Sequence, residues 1–156
     1  MKRPRNARLA LLLCCLLVGA IATIAAAQGS MKSADPVGDR QRLMKLIGAS
    51  WGDIQAKVKA GNIEAVAVNA ETIAVTTDHI PMLFPSGSMT DKSKAKPEIW
   101  QKWAEFEAAA KNAQTLAEQL RDAARAKDQP KVEAMVKEFG TKACGTCHTP
   151  FRQPAR

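Results

Sequence analysis

Close to its C-terminal end the chain reads Lys-Ala-Cys-Gly-Thr-Cys-His-Thr-Pro-Phe-Arg, residues 142–152. Cys144 and Cys147 stand three apart, and His148 follows at once. Two thiols and an imidazole at this spacing support three chemistries: a zinc site, a redox-active thiol pair, or covalent attachment of haem c. On a helix, positions i, i+3 and i+4 share one face, so all three groups project together. Haem c suits that arrangement, because two thiols add to the ring's vinyl groups and the neighbouring imidazole reaches the iron. Zinc would need a fourth ligand, yet the other histidine, His79, is distant in sequence and no second cysteine pair follows the leader. A thioredoxin-like pair belongs at a strand-to-helix turn, and no segment here shows the alternation of a strand.

Compartment bears on the choice. Residues 1–27 place Lys2, Arg3, Arg5 and Arg8 ahead of an apolar run from Leu9 to Ile24 that ends in Ala25-Ala26-Ala27. This pattern predicts a secretory signal peptide cleaved after Ala27. An uncleaved anchor is the alternative, since the run approaches the ~18–20 residues that span a bilayer, but an anchor has no need of an Ala-x-Ala exit. Cys14 and Cys15 leave with the leader, and export into the periplasm is expected, with no stable membrane association once it is removed. In an oxidising compartment free thiols pair, but a Cys144–Cys147 bridge would close too small a loop to stabilise a fold much. The pair is there for chemistry.

Without the leader's four cations, 19 of the 23 basic residues remain against 15 acidic ones, about +4. That surplus is small and evenly interleaved with Asp and Glu, which argues against nucleic acid and gives a mild bias toward acidic partners.

The elements that must position the motif are helical. Residues 28–34 read as a flexible lead-in, and 35–156 form one domain. A first helix begins at the Asp35-Pro36 cap, carries Leu43, Met44, Ile47, Trp51, Ile54 and Val58 on one stripe, and stops at Gly61. A second covers about 62–79, with Ile63, Val66, Ala70, Ile73 and Ala74 buried. The loop 80–97 is long for a compact domain, and Leu83 and Phe84 are its expected anchors to the core or the site. A third helix runs from Pro97 to about Ala126, its stripe formed by Ile99, Trp100, Trp103, Phe106, Ala110, Ala113, Leu116 and Leu120. A fourth opens at Asp128 and carries Val132, Met135, Val136, Phe139 and Ala143 straight into Cys144. Four amphipathic helices of marginal individual stability predict an all-α antiparallel four-helix bundle.

An exported bundle with Cys-x-x-Cys-His on its last helix resembles the cytochrome c′ family, the class II c-type cytochromes. The resemblance is carried by RQRLMKLIG at 40–48, LFPSGS at 83–88, KPEIW at 96–100 and CGTCHTPFR at 144–152, and it spans the mature chain. It implies one covalent haem c per chain on Cys144 and Cys147, with His148 on the iron. It also implies that the residue four after the first-helix arginine, here Met44 after Arg40, stands on the other side of the ring. Methionine there implies a low-spin electron carrier, an apolar residue a five-coordinate iron that binds or senses nitric oxide or carbon monoxide. Met44 is the expected second ligand, although a methionine on a helical stripe commonly fills a core. Met82 and Met89 in the loop compete for that role; Met135, on the haem-bearing helix, does not. Arg40 is expected at a haem propionate, with a free surface position as the alternative. Arg152 is expected beside the imidazole, with its direction in question because Pro150 removes a backbone donor. Trp51, Trp100, Trp103 and Phe106 read as core and pocket packing. No acid, base and nucleophile come together elsewhere, so no enzyme is expected. The expected partners are redox proteins met briefly and, from the resemblance, a second copy paired through the first two helices.

Overall fold

The protein is described from a computed structural model that covers residues 33–154. The expected leader, 1–27, and all but the end of the expected lead-in lie outside the described residues. Helix α1 spans Pro36–Lys59. The Asp35 carboxylate accepts from the Gly38 amide at 2.9 Å, and Pro36 fills the first turn, where no amide partner is required. The helix ends at Gly61, whose φ of +73° suits a residue without a side chain, and the Asn62 amide closes it on the Lys57 carbonyl at 2.9 Å. Helix α2, Val66–Asp78, begins later than the sequence pattern predicts because residues 62–65 form a turn, with Val66 N–H on the Ile63 carbonyl. The five apolar positions expected on it, Ile63 included, are all buried.

A 3-10 turn, Pro81–Leu83, starts the long loop. The helix expected from Pro97 is broken: α3 is Glu98–Gln101, Lys102 leaves helical geometry at φ −122°, and α4 runs Trp103–Arg125. The Trp100 indole donates to the carbonyls of Phe84 and Pro85, so the first turn is tied to the loop rather than to the stripe of α4. Helix α5, Gln129–Phe139, is capped by Asp128. It continues through a π-helical stretch, Gly140–Gly145, into α6, Thr146–Phe151.

α2 packs against α1 and α4, and α5 against α4 and α1, which closes the expected four-helix bundle. Its interior has two cores. The first gathers Ile54, Ile73, Leu120 and Val132 with seven buried alanines; the second gathers Ile80, Phe84, Ile99, Phe106 and Phe151, with Met44 and two tryptophans packed at its edge. Small residues let the helices approach closely in the first; aromatic rings fill wider space in the second.

Candidate functional site

Between the two cores lies a cavity of about 450 Å³. Cys144 packs on the alanine-rich core and Cys147 on the aromatic one, and both line the cavity with His148. The π stretch sets this phasing. Sequence spacing alone predicts an unbroken α-helix here, whereas the wider turn carries Cys144 and hands on to α-helix at Thr146. Such local widenings recur at functional sites. The Lys142 carbonyl within it accepts from the Asn112 amide at 2.8 Å and the Thr146 hydroxyl at 2.7 Å, which pins the turn to α4.

The chemistry of the three groups follows from burial. Removal from water raises the pKa of the Cys144 thiol and pushes Cys147 up to about 11, with the neighbouring Cys144 adding to the latter. A redox-active thiol pair works through a lowered thiol pKa, and burial here acts in the other direction. Among the described residues no three His, Cys, Asp or Glu side chains group to hold a metal. Burial, helped by the charge of Arg152, lowers the pKa of His148, which favours the uncharged imidazole, the form that keeps a nitrogen lone pair for a metal.

The opposite wall comes from α1. Arg40, Met44, Ile47 and Trp51 form its inner stripe, and Gln41, Lys45 and Gly48 its outer rim. Met44 is the one methionine among the described residues that lines the cavity. Met82 and Met89 are 68% and 50% exposed and do not, and Met135 packs on the first core. Arg40 is not a free surface residue: it is 5% exposed. Its guanidinium donates to the Leu83 carbonyl, the Ser88 hydroxyl and carbonyl, and the Ser93 hydroxyl, at 2.7–3.3 Å, and stacks over Phe84 at 4.4 Å. All four acceptors are neutral, and among the described residues no carboxylate lies within 4.0 Å of Arg40.

The loop contributes more than its expected anchors. Phe84 lines the cavity, as do Ser93, Lys94 and Ala95. Residues 94–96 lie antiparallel to the end of α6, with Lys96 N–H on the Phe151 carbonyl and Gln153 N–H on the Lys94 carbonyl. Pro150 sits in the last turn, the helix stops at Phe151, and Arg152 leaves in extended geometry at the cavity's edge. Of the aromatic residues expected at the pocket, Trp51 and Phe106 line it, whereas Trp100 and Trp103 pack behind. Sequence reasoning missed Ser88 and Ser93 as partners of Arg40; isolated serines in a loop carry no signal of so distant a contact.

The lining is mainly apolar, contains four cations (Arg40, Lys45, Lys94, Arg152) and has no acidic residue. A flat apolar ring bearing carboxylates, joined to two thiols and held by an imidazole, fits these residues. Fold and site thus define a four-helix bundle of the c-type cytochrome class. The family model "Cytochrome C′" matches residues 35–152. The chain is 35% identical over 127 residues to cytochrome c-556 of Agrobacterium fabrum, covering 80% of this chain and 85% of that one. The crystal structure of cytochrome c′ from Rubrivivax gelatinosus superposes with a TM-score of 0.68 at 26% identity, over 79% of this chain and 98% of that one. A nitric oxide complex of a mutant cytochrome c′ from Alcaligenes xylosoxidans gives a TM-score of 0.70 at 25% identity, over 81% and 100%. The chain belongs to the cytochrome c′ family, whose members carry a covalently attached haem c.

Proposed function

We propose that this protein is an exported, periplasmic carrier of single electrons, with haem c on Cys144 and Cys147 and iron held between His148 and Met44. The observation that carries the reading is that Met44 alone among the described methionines faces the cavity shared with His148. Bound there, the group supplies reversible one-electron exchange at iron, and His/Met ligation is a usual pairing for that purpose. The chain's own residues do the rest. His148 offers an imidazole nitrogen. Phe84, Phe106 and Phe151 exclude water. Arg40, a buried cation without an anionic neighbour, is suited to a carboxylate of the cofactor, since an unpaired buried charge is unfavourable.

This is a carrier and not an enzyme, and its partners meet it briefly. Lys45, Lys94 and Arg152 edge the cavity without ion-pair partners among the described residues, which favours an acidic protein docking there. Exposed Leu46, Val68 and Val75 on α1 and α2 support pairing with a second copy through those helices. Among the described residues no helix is long and apolar enough to cross a membrane; residues 1–27, read as a cleaved leader, lie outside them.

The second reading, a five-coordinate iron that binds small gases, is favoured by the nitric oxide complex of the Alcaligenes relative. Visible spectra of reduced protein with and without carbon monoxide separate the two. A low-spin spectrum that becomes high-spin in Met44→Leu is expected. A wild-type reduced form that is high-spin and takes up carbon monoxide readily overturns Met44 ligation.

A further inference from the structure

Helix α1 carries two glycines in its interior, Gly48 and Gly52. Each weakens a helix relative to alanine, because glycine gives up more backbone freedom on folding. Neither is demanded by the backbone, since among the described glycines only Gly61 and Gly87 have positive φ. Neither is demanded by packing against the rest of the protein, since a Cβ built on either meets nothing within 4 Å beyond its own stretch of helix. They differ in one respect: Gly48 lines the cavity and Gly52 does not.

Gly48 follows Met44 by one helical turn and continues the exposed rim of Gln41 and Lys45. Side chains on an α-helix lean toward its N-terminus and cover the turn before their own. A side chain at 48 would therefore lie over the turn that holds Met44 and Lys45, and roof the cavity where Met44 stands. Glycine leaves that piece of wall bare.

We propose that Gly48 is an access position: its missing side chain keeps open the path by which a small neutral iron ligand, carbon monoxide as the probe, reaches the Met44 side of the cavity. The inference rests on the haem reading above, but not on ligation by Met44. The residue acts by leaving space and touches no reacting atom.

The test measures carbon monoxide association with the reduced holoprotein by stopped flow. All rates are read in a Met44→Leu background, so that release of the thioether cannot limit them. Adding Gly48→Leu should slow association at least tenfold and Gly48→Ala two- to fivefold, while Gly52→Leu stays within twofold of its parent. Equal rates for Gly48→Ala, Gly48→Leu and the parent overturn the proposal, as does a Gly52→Leu as slow as Gly48→Leu. Should Gly48→Leu fail to take up haem, Gly48→Ala carries the same decision. A second readout is thermal unfolding of the holoprotein: Gly48→Ala and Gly52→Ala should both raise Tm. A lower Tm for Gly48→Ala alone, with an unchanged rate, would show that the glycine serves packing and overturn access. Failure of Met44 ligation appears separately, in the spectrum of the protein with Met44 in place.

Discussion

The two cores of the bundle are built from different residues for different ends. Around Ile54, Leu120 and Val132 the helices are drawn together by alanines, and the result is filled. Around Phe106 and Phe151 bulky rings hold the helices apart, and beside them lies the cavity. The Phe106 ring meets Phe84 and Phe151 edge-on at centroid distances of 4.8 and 5.4 Å, a geometry that keeps a wall stiff without filling the middle. The first core holds the fold, and the second shapes a site that a cofactor completes. Stability and spectroscopy should thus be separable by position.

The strongest way to break that separation is to delete one large side chain from each core. Leu120 is fully buried in the first and Phe106 nearly so in the second. Leu120→Ala should cost about 2–5 kcal/mol and Phe106→Ala about 3–5 kcal/mol in denaturant unfolding of the holoprotein. Only Phe106→Ala should move the haem absorption bands. If Leu120→Ala moved them as far, the cores would be one cooperative unit.

A somewhat smaller effect is expected at the bolt between α1 and the loop. Arg40 makes four hydrogen bonds to residues 83, 88 and 93, and hydrogen bonds from a charged donor contribute about 1.5–3 kcal/mol. Arg40→Ala should lower stability by about 2–3 kcal/mol, with hydrogen exchange accelerated over residues 85–94 more than over α4. Arg40→Lys should restore little, since a single ammonium cannot span acceptors that the planar fork reaches. Uniform exchange along the chain would mean that the loop is held by Phe84 and Trp100 instead.

Charge at the mouth sharpens the comparison without touching either core. Lys94→Glu should slow electron transfer to an acidic protein partner about three- to tenfold at low ionic strength, with the difference fading as salt is added. Lys127 is already ion-paired to Glu64 and lies away from the cavity, so Lys127→Glu should leave the rate alone. Equal slowing by both would point to net charge rather than docking. Thermal unfolding should differ little between them.

How far the sequence disclosed this arrangement depended on whether a feature is local. Caps at Asp35 and Asp128, the stop at Gly61 and most of the apolar stripes are written within a few residues, and they appear where expected; Leu43 joins neither core. Cys144, Cys147 and His148 stand out in the sequence because their chemistry demands one spacing, and the three line one cavity. Three features do not stand out. The break at Lys102 goes with Trp100 bonding to carbonyls some 15 residues away, which periodicity cannot sense. The π stretch is invisible to a reading that assumes 3.6 residues per turn, and Asn112, which pins it, sits on another helix. The burial of Arg40 excludes only the surface alternative, and its tie to Ser88 and Ser93 spans about fifty positions. Long-range polar contacts leave no periodic trace, and here they are what joins the loop to the site.

The smallest predicted effect lies within the filled core's own end and compares two helix exits. After α1 the chain turns at Gly61 with φ +73°; after α4 it turns at Lys127 with φ +57°. Both exits close alike, Asn62 N–H on the Lys57 carbonyl and Asp128 N–H on the Ala123 carbonyl. Left-handed geometry costs a residue with a Cβ about 1–2 kcal/mol and glycine almost nothing. Against it stands the Lys127–Glu64 ion pair at 2.8 Å, but both side chains are largely exposed, and such pairs contribute about 0–1 kcal/mol. Glycine's greater freedom in the unfolded chain removes part of the remaining gain. Lys127→Gly should therefore stabilise by about 0.5 kcal/mol, and Lys127→Ala, which loses the ion pair and keeps the Cβ, should destabilise slightly. The difference between the two variants in denaturant midpoint isolates the backbone contribution. A Lys127→Gly no more stable than Lys127→Ala would show that left-handed geometry costs the Cβ nothing at this exit, and that the two turns, alike in shape, do not share a backbone constraint.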